Sequence, residues 1–191
     1  PDEVEARVRE DAHWPVLKVK LKGGADDAAT VRRLRAVTDR PFRVDANEAW
    51  EEDEAAERAA WLASEGCEFI EQPFPAGHFD ATAALRAASP IPLVADEDVV
   101  VGVSIEDLAA AYDGLNVKLT RLGGIRESVR WIHAAKNAGL RVLLGCFVES
   151  SVGISAAAHL APLADWVDLD GAALLAVDPF EGARVEDGVV L

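Results

Sequence analysis

No methionine occurs among the 191 residues, cysteine occurs only twice, and tyrosine once. Two cysteines cannot build a disulfide framework. Cys67 and Cys146 also belong to the regions of different predicted strands, so a reducing, cytoplasmic setting is the default. A chain that begins at Pro1 and has no Met predicts a longer translation product with residues upstream. Positive charge is scarce: 19 Lys and Arg stand against 34 Asp and Glu, a formal net charge of −15. Such acidity repels phosphate backbones and anionic bilayers, which argues against nucleic acid and membrane partners. It admits a metal or an ammonium-bearing small molecule, and solubility explains it equally well. Apolar runs of membrane-spanning length are missing, and no stretch reads as a signal peptide. The four histidines, His13, His78, His133 and His159, show no ligand spacing. His133 and His159 fall within predicted helices, and all four read as non-catalytic.

What the chain does have is alternation. Short apolar runs read as strands at Leu17–Leu21, Pro41–Asp45, Phe69–Gln72, Ile91–Ala95, Leu115–Leu119, Arg141–Cys146 and Trp166–Leu169. Between them lie helical patterns, at Asp26–Thr38, Trp50–Glu65, His78–Ala88, Ile105–Ala111, Gly124–Asn137 and Ile154–Leu160. A further charged, helix-prone stretch runs from Asp2 to Asp11. Gly66 and Gly139 stand where helices stop. Seven strands alternating with helices predict an α/β fold with a parallel sheet. The sheet closes either as a doubly wound sheet or as a barrel. A full barrel of eight strands typically needs about 250 residues, so seven strands in this length imply one missing strand. The tail Gly182–Leu191 reads as a hairpin around Asp187-Gly188.

Five charged residues, Lys20, Asp45, Glu71, Asp96 and Lys118, follow one another at intervals of 25, 26, 25 and 22 residues. Each sits at or near the end of a predicted strand. A barrel points consecutive strand ends at one axis, whereas an open sheet gathers its site at one switch point; this favours the barrel. Asp45, Glu71 and Asp96 are hard oxygen donors that suit a divalent ion such as Mg²⁺. A carboxylate closing one buried strand is more often a cap for the next helix. Three on consecutive strands are harder to read that way. Asn47 shares a face with Asp45 and can orient a metal-bound water. Glu97 and Asp98 add acidity beside Asp96, with Asp98 expected in a solvated loop. Lys18 and Lys20, two apart, share a face, and crowded amines on an inward face are a setting in which lysine serves as a base. Lys118 closes a strand roughly across a barrel from that of Lys20. Asp168 and Asp170 share a face at a strand end and call for a cation: an Arg, a metal or a substrate ammonium. Gly123-Gly124 reads as a strand-to-helix turn in preference to a phosphate cradle.

The motifs KVK (18–20), VDAN (44–47), IEQP (70–73), ADED (95–98), NVKL (116–119), GCFVES (145–150) and DLDG (168–171) stand in an order that resembles the enolase superfamily. The likeness is to its muconate-lactonising-enzyme-like subgroup, and within that to dipeptide epimerases of the L-Ala-D/L-Glu epimerase type. It runs across the whole chain. The mandelate-racemase-like branch uses a histidine base, which is lacking here.

The resemblance implies a TIM-like (β/α)₇β barrel over residues 1–180, without the N-terminal capping domain and the first barrel strand. Residues 181–191 would pair with that cap. It implies Asp45, Glu71 and Asp96 as ligands of one Mg²⁺; Asn47 and Glu97 stand, by their positions beside these ligands, as supporting residues. Lys20 and Lys118 would be the two acid/base groups, Lys18 would support Lys20 and the substrate carboxylate, and Asp168 and Asp170 would hold a dipeptide's α-ammonium. ADED replaces the familiar ADES, placing Asp98 last. The implied reaction is epimerisation of a dipeptide at the carbon α to its carboxylate, through an enediolate. N-acylamino acid racemisation, o-succinylbenzoate synthesis and cycloisomerisation are the alternatives on the same machinery. A homo-oligomer is a further family expectation. An inactive barrel fits poorly, because all the expected catalytic positions are filled.

Overall fold

A computed structural model describes residues 2–191 and resolves them into two compact units, residues 2–93 and 94–191. The first unit opens with α1 (Asp2–Glu10) and then alternates β1 (Leu17–Lys20), α2 (Asp27–Val37), β2 (Phe42–Asp45), α3 (Glu52–Ser64), β3 (Cys67–Glu71) and α4 (Phe79–Ala88). The three strands pair in parallel and in sequence order, with Lys20 beside Asp45 and Asp45 beside Glu71. Parallel pairing with helical crossovers sets all three strand ends at the same edge. Val31, Leu34, Phe42, Val44, Leu62 and Phe69 are at most 2% exposed and form the core. Arg40 ties α1 to the sheet. Its guanidinium donates to the carbonyls of Val8, Asp11 and Trp14 at 3.0, 2.7 and 2.6 Å, satisfying acceptors that a helix end leaves open. Gly66 follows α3 with φ +81°, the left-handed stop that glycine permits.

The second unit runs β4 (Leu93–Ala95), α5 (Ile105–Ala111), β5 (Gly114–Lys118), α6 (Leu119–Leu122), α7 (Ile125–Asn137), β6 (Arg141–Gly145), α8 (Ser151–Ala158), β7 (Trp166–Asp168), and the hairpin of β8 (Val185–Glu186) and β9 (Val189–Val190). Strands β4 to β7 pair in parallel in that order, with Lys118 beside Gly145 and Gly145 beside Asp168. Ser104 caps α5 by accepting the N–H groups of Glu106 and Asp107, a contribution of about 1 kcal/mol. The tail before the hairpin is fastened to α8. Ser151 N–H donates to Asp178 at 2.6 Å, and the Ser151 and Ser155 hydroxyls accept from Gly182 and Ala183 at 2.9 and 2.6 Å. The hairpin turns at Asp187-Gly188 as its sequence predicts, both in left-handed backbone.

All seven strands stand where the alternation places them. The departures are local. Leu119 opens α6, a turn of helix the sequence reading assigned to the end of a strand. Helix α8 starts three residues earlier than its apolar spacing predicts and ends before His159, whose ring Nδ1 contacts the Ser155 carbonyl at 2.7 Å. Gly123 and Gly124 both have positive φ, 89° and 106°, and end α6 and open α7, so the turn reading of this pair holds. No helix among the described residues is long and apolar enough to cross a membrane.

Candidate active site

In the first unit, the register of β1, β2 and β3 brings Lys18, Lys20, Asp45 and Glu71 into one cluster. Lys18 Nζ stands 3.1 Å from Asp45 Oδ2 and 2.8 Å from Glu71 Oε2. The two carboxylates are only 3% and 1% exposed, so each needs a counter-charge. Lys20 Nζ lies 3.4 Å from the same Asp45 oxygen and donates to Asn47 Oδ1 at 2.5 Å. The Asn47 N–H returns to Asp45 Oδ1 at 3.1 Å. Burial pushes the Asp45 carboxyl up, but Lys18, then Lys20, outweigh it and hold the group below its ordinary value. Backbone pairing continues past the strand ends, from Ala46, Glu48 and Trp50 to the carbonyls of Glu71, Gln72 and Pro73. Asn47, Glu48 and Gln72 take left-handed backbone there, with φ of 44°, 65° and 37°. Such conformations cost free energy in non-glycine residues and cluster where side chains are held for function.

The second unit has a matching cluster. Lys118 Nζ donates to Asp96 Oδ2 at 2.7 Å, and Arg121 Nη1 lies 2.6 Å from Asp96 Oδ1 and also donates to the Asp96 carbonyl. Asp96 and Lys118 are 3% and 9% exposed. The Phe147 ring lies 4.7 Å from Lys118 Nζ and 5.2 Å from the Arg121 guanidinium carbon. Sequence reasoning missed Arg121 and the role of Phe147. The signal for Arg121 was its place three residues after Lys118, where one helical turn folds it back over the strand end.

Asp98 departs from expectation. It is 4% exposed, and its Oδ2 accepts the hydroxyl of fully buried Tyr112 at 2.7 Å. The loop after β4 turns inward because Val99 N–H bonds the Asp96 carbonyl at 2.9 Å, so Asp98 joins the core in place of solvent. Glu97 is half-buried in the same loop. Asp168 ends β7, and Asp170 begins the short turn Gly171–Leu174. Both lie near Cys146. Burial foremost, then the negative charge of Asp168, Asp170 and Glu149, pushes that thiol up to about 12 against a hydrogen bond from Gly171. Within the first unit Lys18, Lys20, Asp45, Asn47 and Glu71 meet, and within the second Asp96 meets Lys118.

The donor chemistry fits a hard divalent cation. One positive point, Lys18 Nζ, already touches an oxygen of both Asp45 and Glu71, and buried carboxylate oxygens are what Mg²⁺ takes. Among the described residues, no three His, Cys, Asp or Glu side chains are grouped as a preassembled metal site. Lysine and arginine hold the carboxylates instead.

Comparison with known proteins follows the same line. The family model described as "Enolase C-terminal domain-like" matches residues 2–188. An L-Ala-D/L-amino acid epimerase of a Maribacter species is 42% identical over 191 residues, covering 100% of this chain and 56% of that protein. A crystal structure of an enolase family member from Agrobacterium tumefaciens with homology to dipeptide epimerases, bound to sodium and L-Ala-L-Glu, superposes with a TM-score of 0.89. It is 35% identical, over 100% of this chain and 58% of that one. The dipeptide epimerase of Cytophaga hutchinsonii, complexed with Mg and D-Ala-L-Val, gives a TM-score of 0.87 at 27% identity, over 97% and 53%. The chain spans about half the length of the curated relatives it matches. The resemblance and the barrel class read from seven motifs are borne out.

Proposed function

The chain belongs to the enolase C-terminal domain-like family, and on that premise we propose that its natural protein epimerises dipeptides at the carbon α to the carboxylate. The observation that carries this reading is the pair of lysine–carboxylate clusters at strand ends, Lys20 with Asp45 and Lys118 with Asp96. Two amines on separate strands are what an inversion needs, since one proton leaves one face of the carbon and another arrives on the opposite face. Lys20 takes or gives the proton on one side and Lys118 on the other. In the reverse direction their roles exchange. Lys18 contributes positive charge toward the substrate carboxylate, where negative charge grows as the α-proton leaves.

Asp45, Glu71 and Asp96 would hold one Mg²⁺, with Asn47 and Glu97 supporting them, and the ion would supply further stabilisation of that charge. Lys18 already occupies Asp45 Oδ2 and Glu71 Oε2, so an ion held by these carboxylates would compete with its ammonium. Asp168 and Asp170 are proposed to receive the dipeptide's ammonium. Both carboxylates lie close enough to Cys146 for their charge to act on its thiol, which sets them at one strand end.

The test is isotopic. In heavy water the protein should incorporate deuterium at the α-carbon of a dipeptide's C-terminal residue. Lys20→Ala and Lys118→Ala should each abolish net epimerisation while retaining exchange of one epimer. Normal epimerisation by both variants would refute the two-lysine scheme. Preference for N-acetylated over free dipeptides would remove the ammonium role of Asp168 and Asp170 and favour N-acylamino acid racemisation.

A further inference from the structure

The two proposed acid/base lysines sit in unlike surroundings. The Lys20 side chain is 61% exposed and its partners are polar, Asn47 and Asp45. The Lys118 side chain is 9% exposed and its amine lies over an aromatic ring, 4.7 Å from the centroid of Phe147. Phe147 is itself 44% exposed, so one part of it meets the amine and another meets solvent. Its backbone is fixed from two sides. The Phe147 N–H donates to Glu149 Oε1 at 3.2 Å, and the Phe147 carbonyl abuts Gly171, where a β-carbon would not fit. Arg121, clamped on Asp96, shares the ring at 5.2 Å.

We propose that Phe147 is a positioning residue for Lys118: the ring holds the amine beside Asp96 and keeps bulk water off it, a service Lys20 does not receive. The physical basis is twofold. A ring face attracts an ammonium, more strongly where water is excluded. A flexible four-carbon side chain also loses rotamers when one wall of its space is filled. The proposal rests on the reading of Lys118 as an acid/base group. Its consequence is that the two half-reactions depend unequally on one aromatic ring.

The experiment separates the two faces. Lys20→Ala leaves only Lys118 to exchange the α-proton, and Lys118→Ala leaves only Lys20. Exchange of each dipeptide epimer is followed by NMR in heavy water, in both backgrounds, with Phe147, Phe147→Leu or Phe147→Tyr. Phe147→Leu should lower kcat for the Lys118-dependent exchange by about 5-fold, the size of a partly desolvated cation–π contact. KM should move less than about 2-fold, and the Lys20-dependent exchange should also change less than about 2-fold, since the ring is seen against the Lys118 amine. Phe147→Tyr should restore the rate. Equal slowing of both exchanges, as general loosening would give, overturns the proposal, as does an unchanged Lys118 rate or a failure of Tyr to rescue. If neither lysine variant nor the unmodified protein exchanges any α-proton, the epimerase reading falls and takes this one with it. Exchange that persists but ignores the ring overturns this one alone.

Discussion

Replacing Lys18 by Met should reveal how much the first cluster depends on one ammonium. Lys18 is the shared partner of Asp45 and Glu71, at 3.1 and 2.8 Å, and both carboxylates are almost fully buried. At an effective dielectric of about 20, each contact is worth roughly 5 kcal/mol of gross Coulomb attraction. Desolvation cancels most of that, and breaking a buried pair typically costs about 3–5 kcal/mol net, because the orphaned charge remains. Lys18 is 27% exposed, and Lys20 keeps a 3.4 Å hold on Asp45, so we expect a loss at the lower end, about 3 kcal/mol. Urea unfolding at neutral pH measures it. Two further signs must agree. The folded carboxyl of Asp45 titrates below its ordinary 3.8. Its stabilising contribution is therefore present above 3.8 and lost as pH falls through the folded value. The gap between wild type and Lys18→Met should narrow on acidification. Mg²⁺ at 100 times the variant's dissociation constant should stabilise the variant by about 2.7 kcal/mol, and at the same concentration it should stabilise the wild type less, because there the ammonium competes. A loss under about 1 kcal/mol, or equal Mg²⁺ responses, would refute the account of Lys18 as the cation that balances these two carboxylates.

Tyr112→Phe should cost about 1.5–3 kcal/mol in urea unfolding, since it removes a buried hydrogen bond to the Asp98 carboxylate; an unchanged midpoint would mean that Asp98 is solvated after all. Gly145→Ala should be destabilising by about 1–3 kcal/mol, because a β-carbon there runs into the buried Asn116 amide, two residues before Lys118; a wild-type melting temperature would disprove that crowding. Burial foremost pushes the Cys67 thiol up to about 12, so iodoacetamide should label it at pH 8 only after unfolding. Because the unfolded thiol ionises near 9, its burial favours the folded chain below pH 9, and that advantage is lost between pH 9 and 12. Native-state labelling at pH 8 at the rate of a free thiol would contradict it.

The fold was legible because period and punctuation agree along the chain. Apolar runs of about five residues, separated by helical patterns and by glycine or proline stops, leave little freedom in assigning β1 to β7. The failures fall where local pattern carries no information. Leu119 is as apolar as the strand before it, and only the geometry of the following Gly123-Gly124 turn makes it the start of a helix. The onset of α8 was missed because Ser151, Val152 and Gly153 lack apolar spacing. Its first turn is held by the tail, 27 to 31 residues away in sequence.

The site was legible at the level of residue type and not at the level of partnership. A carboxylate at each strand end can be read from spacing, but which cation meets it depends on register and burial. The pairing of Lys20 with Asp45 follows from the β1–β2 register. Lys18, two residues earlier on the same face, reaches forward to both Asp45 and Glu71, which no spacing rule states. Asp98 shows the limit most clearly. Its neighbours Asp96 and Glu97 make a solvated acidic loop the natural reading, and Tyr112, 14 residues on, helps make burial of a third carboxyl tolerable. Buried polar groups are chosen by their partners, and partners distant in the chain are what a single sequence conceals. Where such a partner is aromatic, as Phe147 is for Lys118, it also escapes any search confined to titratable side chains. The acid/base groups of a site like this one are therefore easier to name than the residues that hold them in place.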